Sequence, residues 1–196
     1  SQCETFQNAM SQGSGRVAKA VVEAYDFSGI GRIADVGGGH GLLLAAILAA
    51  NPRLHGVLFD RPEVIASVPK DRFTGREDRV ALDAGSFFER VPDNCDAYIM
   101  KHIIHDWSDA HCKTILDLMR AKLPPHGRVL LCELVVTGEK GPTPAKLLDI
   151  EMLVVTEGGK ERTEEEFAAL FAASGFRLSR IVPTARPMAV IEAVPA

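Results

Sequence analysis

The sequence predicts a doubly wound α/β domain. Three observations predict it. Short apolar runs alternate with helix-forming stretches along the middle of the chain. A glycine-rich turn closes the first of those runs. The chain then ends in two more apolar runs joined by a proline-containing loop. Such alternation builds parallel strands connected by helical crossovers. Right-handed crossovers set the strands' carboxyl ends along one edge, and open sheets of this kind bind ligands there.

Taken in order, Arg32–Val36 reads as the first strand. Leu42–Ala50 is rich in Ala and Leu, strong helix formers, and Asn51-Pro52 ends it. His55–Phe59 is the second strand, stopped by Asp60-Arg61-Pro62, with a short helix expected over Glu63–Ser67. Arg79–Leu82 and Ala97–Met100 are the third and fourth strands. Ala110–Lys122 reads as a helix capped by Ser108 or Asp109. Arg128–Leu134 is apolar almost throughout, as suits a strand covered on both faces. A helix is expected over Lys146–Val155. Another opens at Thr163, with Glu166 completing a capping box and Gly175 closing it. Phe176–Ile181 and Ala189–Ala193 finish the sheet.

The chain has 196 residues, which fits one domain. Hydrophobic residues make up 46%, enough to fill its core unaided. The net charge is −4 and no Lys/Arg run occurs, so neither nucleic acid nor an anionic membrane is an expected partner. The longest apolar run, Leu42 to Ala50, is too short to span a bilayer. Cys3, Cys95, Cys112 and Cys132 show no C-x-x-C pair and fit a reducing, cytoplasmic setting. Residues 1–15 are expected to be a linker or the remnant of an upstream part, with the catalytic domain over residues 16–196.

Two features point to a nucleoside-containing ligand. Asp35-Val36-Gly37-Gly38-Gly39-His40-Gly41 lies where the first strand turns into the first helix. Glycines there admit unusual backbone angles and let a ligand approach the main chain. Asp60 follows Gly37 by 23 positions at the end of the next strand, where a carboxylate can accept both ribose hydroxyls. A tight turn and a helix-capping Asp are the plainer readings. The glycine spacing does not itself separate a nicotinamide dinucleotide from S-adenosylmethionine.

The segment Met100-Lys101-His102-Ile103-Ile104-His105-Asp106-Trp107 follows the fourth strand, and so lies on the ligand edge. His105 is the candidate general base. A phenol ionises near ~10 and an imidazole near ~6.5, so attack by a phenol at neutral pH needs a positioned base. Glu133 and Glu161 are candidates to orient that imidazole. Local bonding of His105, and a helix-dipole role for Glu161, are the plainer readings. His102 and His105 lie three apart beside Asp106, a spacing that zinc can use. No second His/Cys cluster at ligand spacing appears, so no metal is expected.

These stretches, together with Phe59-Asp60-Arg61-Pro62 and Gly158-Gly159-Lys160-Glu161-Arg162-Thr163, resemble the plant and bacterial small-molecule O-methyltransferases of the caffeate and hydroxyindole type. The resemblance runs from about Met10 to Ala193. It implies a class I methyltransferase fold, Rossmann-like, with a seven-stranded, mostly parallel sheet, helices on both faces and an antiparallel last strand. It implies S-adenosylmethionine bound by Asp35, Gly37, Gly39, Asp60, Arg61, Ser86, Phe87 and Lys101. It implies His105 as base, flanked by Glu133 and Glu161, and a hydroxylated aromatic substrate near Asp106, Trp107 and Met152. It also implies a missing N-terminal domain through which the full-length protein forms a homodimer. One departure stands out. Ser86 occupies the place of an Asp that family members hold near the adenine, and Asp83, three residues earlier, is a candidate to replace it.

Three other readings stay open at this point: a relative that hydroxylates or decarboxylates, an inactive cofactor-binding module, and a nicotinamide oxidoreductase. The last leaves His105-Asp106-Trp107 and Glu161 unused.

Overall fold

A computed structural model describes residues 15–196. The expected linker over residues 1–15 lies outside the described residues except for its last position, which already belongs to helix α1 (residues 15–24). That helix was not read from the sequence. Strand β1 (Arg32–Val36) leads into α2 (Leu42–Ala50), then β2 (His55–Asp60) and the short α3 (Pro62–Ala66). Next come β3 (Val80–Ala84), β4 (Ala97–Lys101), α4 (Asp109–Lys122) and β5 (Arg128–Val136). The chain ends with α5 (Pro144–Val155), β6 (Arg162–Thr163), α6 (Glu164–Ala172), β7 (Phe176–Pro183) and β8 (Met188–Pro195).

Seven strands lie in the order β3-β2-β1-β4-β5-β8-β7, and two-residue β6 pairs with the end of β5 off that line. The first five strands are parallel; β8 runs antiparallel between β5 and β7. The expected sheet is thus present, with β6 as an addition. Strand order reverses between β1 and β4, which opens a crevice at their carboxyl ends.

Period-two alternation sorts the strand side chains into two layers. On one face Tyr98 and Met100 of β4 meet Cys112, Ile115 and Met119 of α4 and Phe167 and Phe171 of α6. On the other, Ala97 and Ile99 meet Ala18 and Val21 of α1 and Leu43, Leu44 and Ile47 of α2. Cys95, Cys112 and Cys132 are buried free thiols. No helix of the described residues is long and apolar enough to cross a membrane.

Most boundaries moved by only a residue or two, each for a visible reason. Ser108 is the cap of α4, accepting from the His111 N–H. The Thr163–Glu166 capping box is present in both directions. Arg79 is not in the third strand. It sits in a 3₁₀ turn (Glu77–Arg79) and donates to the carbonyls of Leu48, Asn51 and Leu54 at the end of α2. Gly41 sits left-handed at φ 74° as the N-cap of α2, which has no side-chain cap.

Leu44 locks α2 onto β2: it is fully buried, and its Cδ1 lies 2.7 Å from where a Cβ on Gly56 would sit. Leu44→Ala is expected to cost about 2–5 kcal/mol of stability, read as a lowered midpoint in chemical denaturation.

Candidate active site

The glycine turn at the top of β1 excludes side chains at Gly37 and Gly38. A Cβ on Gly38 would fall 2.5 Å from Leu58 Cδ1 and 2.7 Å from Asp35 Cγ. One on Gly37, at φ 69°, would strike Ile103 Cδ1 at 2.7 Å. Asp60 closes the turn from β2: its Oδ2 accepts the Gly39 N–H at 2.8 Å, and its Oδ1 accepts the Arg61 N–H at 2.7 Å. A carboxylate keeps lone pairs beyond these two bonds. Beside the turn lies a cavity of about 410 Å³, lined by Gly37, Asp60, Arg61, Ser86, Phe87, Phe88, Ile103, Asp106 and Trp107. That is ligand-sized. Phe87, Phe88 and Trp107 form an edge-to-face cluster along one wall, with Phe88 and Trp107 centroids 4.7 Å apart.

The second half of the site is built around a buried imidazole. A 3₁₀ turn (Ile104–Asp106) carries His105 just past β4. Its Nδ1 lies 2.7 Å from Glu161 Oε1 and 3.4 Å from Glu133 Oε2, and its Nε2 lies 3.4 Å from Asp106 Oδ1. Glu133 and Glu161 are almost wholly buried. Glu133 Oε1 accepts the N–H groups of Ile103 and Ile104, both at 3.0 Å, which ties the strand to the turn. The Glu161 N–H is held in turn by Asp149 of α5. His105 is not itself in the cavity lining, but its neighbours Ile103, Asp106 and Trp107 are.

Burial pushes His105 down, yet the Glu161 hydrogen bond and the charges of Glu133, Glu161 and Asp106 outweigh it, and the imidazole ends above its ordinary value. Burial pushes Glu133 up to about 7, with His105 opposing and Glu161 reinforcing. Burial also lowers His102 to about 4, helped by Lys101 and His105, so its ring is neutral.

The O-methyltransferase domain family profile matches residues 1–177. This chain belongs to that family. It is 43% identical over 191 residues to a phenazine O-methyltransferase of Lysobacter antibioticus, covering 97% of this chain and 56% of that protein. It is 40% identical over 192 residues to a mitomycin biosynthesis 6-O-methyltransferase of Streptomyces lavendulae, covering 96% and 54%. Among solved structures, a calicheamicin-biosynthesis methyltransferase in its S-adenosylhomocysteine-bound form superposes with a TM-score of 0.87 at 36% identity, over 97% of this chain and 56% of that one. Human N-acetylserotonin methyltransferase in complex with S-adenosylmethionine gives 0.86 at 29% identity, over 97% and 55%. The chain spans about half the length of the curated relatives it matches.

In this O-methyltransferase domain the remaining sequence-derived candidates fall in different places. Asp35 is buried under the turn with its Oδ2 unpartnered, and burial lifts its carboxyl to about 7 against the pull of Lys101. Lys101 ends β4, half-buried. Gly39 has open space where a side chain would go and is not in the cavity lining. Ser86, Phe87 and Arg61 are in the lining, as are Asp106 and Trp107. Met152, buried on α5, is not. Asp83 is not a free replacement for the missing acid at Ser86, because Arg90 grips both its oxygens at 3.0 and 2.5 Å.

The strand that carries Glu133 runs past the expected Leu134 to Val136, so Glu133 lies within β5. It is the first β5 residue beyond the register partner of Lys101, and overhanging β4 lets it reach the next turn. It also changes the metal question. His102, His105 and Glu133 bring three ligand atoms within 4.8 Å of one another, a donor set that suits zinc. The sequence reading set Asp106 beside the two histidines and Glu133 near His105, but did not join Glu133 to His102 as a donor. Phe88 and Ile103 were also missed as lining residues, although each adjoins one that was named.

Glu133 gives the domain a pH signature. Its folded-state value is raised from 4.5, so the stability it contributes is complete below about 4.5 and lost as pH climbs through about 7. Glu133→Gln keeps an oxygen for the Ile103 and Ile104 N–H groups and removes the titration. Denaturation midpoints measured across that window should fall less steeply with pH in the variant than in the wild type.

Proposed function

We propose that the protein carrying this chain transfers a methyl group from S-adenosylmethionine to a phenolic hydroxyl of a small aromatic molecule, with His105 as general base. The observation that carries this reading is the 2.7 Å contact between His105 Nδ1 and buried Glu161, one residue from the wall of the cavity that Asp60 and the glycine turn close on the other side. The relatives with phenazine and mitomycin in their names support the substrate class.

The chain's own residues fit the cofactor. A Cβ on Gly37 would crowd the lining residues Ile103 and Phe87, Asp60 has acceptor capacity for the ribose, and Asp35, with its Oδ2 unpartnered, is buried beside the turn. Phe87 and Trp107 offer aromatic faces to an adenine, and Ser86 offers a hydroxyl without charge. When bound, S-adenosylmethionine supplies a methyl group on a positive sulfur that leaves as a neutral thioether.

His105 takes the hydroxyl proton as the oxygen becomes the nucleophile. Glu161 on Nδ1 leaves Nε2 as the ring atom free to accept that proton. Glu161 and Glu133 then stabilise the imidazolium by charge, in a buried setting where such pairing is strong. Phe87, Phe88 and Trp107 keep water from the reacting atoms. Most of the rate gain is assigned to alignment of two bound reactants.

His105→Ala is expected to lower turnover by about 10²–10⁴-fold while leaving S-adenosylhomocysteine affinity intact, measured by a methyl-transfer assay and calorimetry. Unchanged turnover would remove His105 as the base. Failure to form S-adenosylhomocysteine with any phenol would favour hydroxylation or decarboxylation instead.

The His102–His105–Glu133 cluster supports a second, metal-assisted reading. It ranks below the first because His105 Nδ1, which faces Glu133, is already committed to Glu161. Dialysis against a chelator should leave the methyl-transfer rate unchanged. Loss of rate, restored by zinc, would reverse that ranking.

A further inference from the structure

Arg162 is among the most deeply buried large side chains described, only 1% exposed, yet it carries a permanent charge. Burying such a charge is costly unless every donor is used. Its partners are specific. Nη1 donates to the Ile104 carbonyl at 3.0 Å and to the Lys160 carbonyl at 3.3 Å. Nη2 donates to the Trp107 carbonyl at 3.0 Å, and to Cys112 Sγ at 3.5 Å. Nε and Nη2 both reach Asp109 Oδ1, at 3.1 and 2.7 Å. The two turn carbonyls belong to the residues that bracket the His105–Asp106 pair.

The preceding residue, Glu161, holds the His105 ring. One short segment therefore holds the histidine's imidazole and also the carbonyls of Ile104 and Trp107 that flank the turn. Two further features fix that segment. β6 pairs Arg162 with Val135 of β5, so the grip shares the strand that carries Glu133. Gly159 lies so close to the His105 carbonyl that a Cβ there would collide with it.

We infer that Arg162 is a positioning residue for His105: its guanidinium spans the carbonyls of Ile104 and Trp107 and so holds the imidazole against Glu161. A planar fork with five donors can bridge several acceptors at once, whereas an ammonium is a point charge. The catalytic consequence rests on His105 being the base, as proposed above; the positional claim does not.

The test uses the complete natural polypeptide and two variants. Arg162→Lys keeps the charge and loses the span. Asp109→Ala removes the guanidinium's carboxylate partner, and because its side chain is 60% exposed the change takes away no core packing. The groups facing the His105 ring are His102, Asp106, Glu133 and Glu161; neither substitution alters any of them. The first readout is the NMR titration of the His105 imidazole with S-adenosylhomocysteine present. Its pKa should fall toward the ordinary imidazole value in both variants as the Glu161 contact loosens. The second is kinetic: kcat should drop by about 10²-fold in Arg162→Lys, as expected for a displaced base, with S-adenosylhomocysteine affinity unchanged.

If Arg162→Lys does not fold, Asp109→Ala carries both measurements. An unmoved titration in the folded variants overturns the inference. So does a loss of turnover that merely tracks lost folded protein or lost S-adenosylhomocysteine affinity. His105→Ala, run alongside, separates the two claims. If that variant keeps full turnover the base assignment falls, while a shifted titration in Arg162→Lys would still stand for the positional one.

Discussion

Two carboxyl groups cannot be buried side by side unless protons or cations are shared among them. Glu133 and Glu161 are both buried, and His105 lies between them. Much of the local architecture serves that constraint. β5 overhangs β4 so that Glu133 reaches the turn, and the N–H groups of Ile103 and Ile104 satisfy one of its oxygens. β6 brings Glu161 from far along the chain, and Asp149 of α5 fixes its backbone. Asp109 at the start of α4 meets the Arg162 guanidinium at the rim. The cluster thus joins elements spread along the second half of the sequence, from the turn after β4 to β6.

Part of this was legible in the amino-acid sequence because it rests on local chemistry. The glycine turn, the Asp at the end of β2, the caps at Ser108 and Thr163 and the alternation of strands with helices are short-range signals. Their residue types are forced by backbone angle or by unsatisfied N–H groups. The strong apolar run of β5 was visible for the same reason, since both its faces are covered.

The rest depends on tertiary register, which no local window contains. Helix α1 was overlooked, and the Gly15 and Arg16 that begin its described part give little hint of the core it covers at Ala18 and Val21. Two-residue β6 exists only because Val135 and Val136 lie alongside to pair with it. Asp83 looked like a spare acid until Arg90, seven residues on, was found gripping it. Met152 has the right residue type for a pocket wall but is not among the residues lining that cavity. Arg162 was named only as part of the Gly158–Thr163 stretch, with no role of its own, since its burial is a property of the assembled fold.

The mixed pairing of β5, parallel to β4 on one side and antiparallel to β8 on the other, has an evolutionary consequence. Side chains along a strand alternate strictly between layers, so one inserted or deleted residue between Arg128 and Glu133 would turn the acid toward the α1–α2 layer and strand it from its histidine. Two neighbouring ladders would resist such a slip together. Descendants of this domain can lengthen or shorten their loops freely, but the count of residues along this strand should be frozen, making it a fixed ruler against which divergent sequences can be aligned.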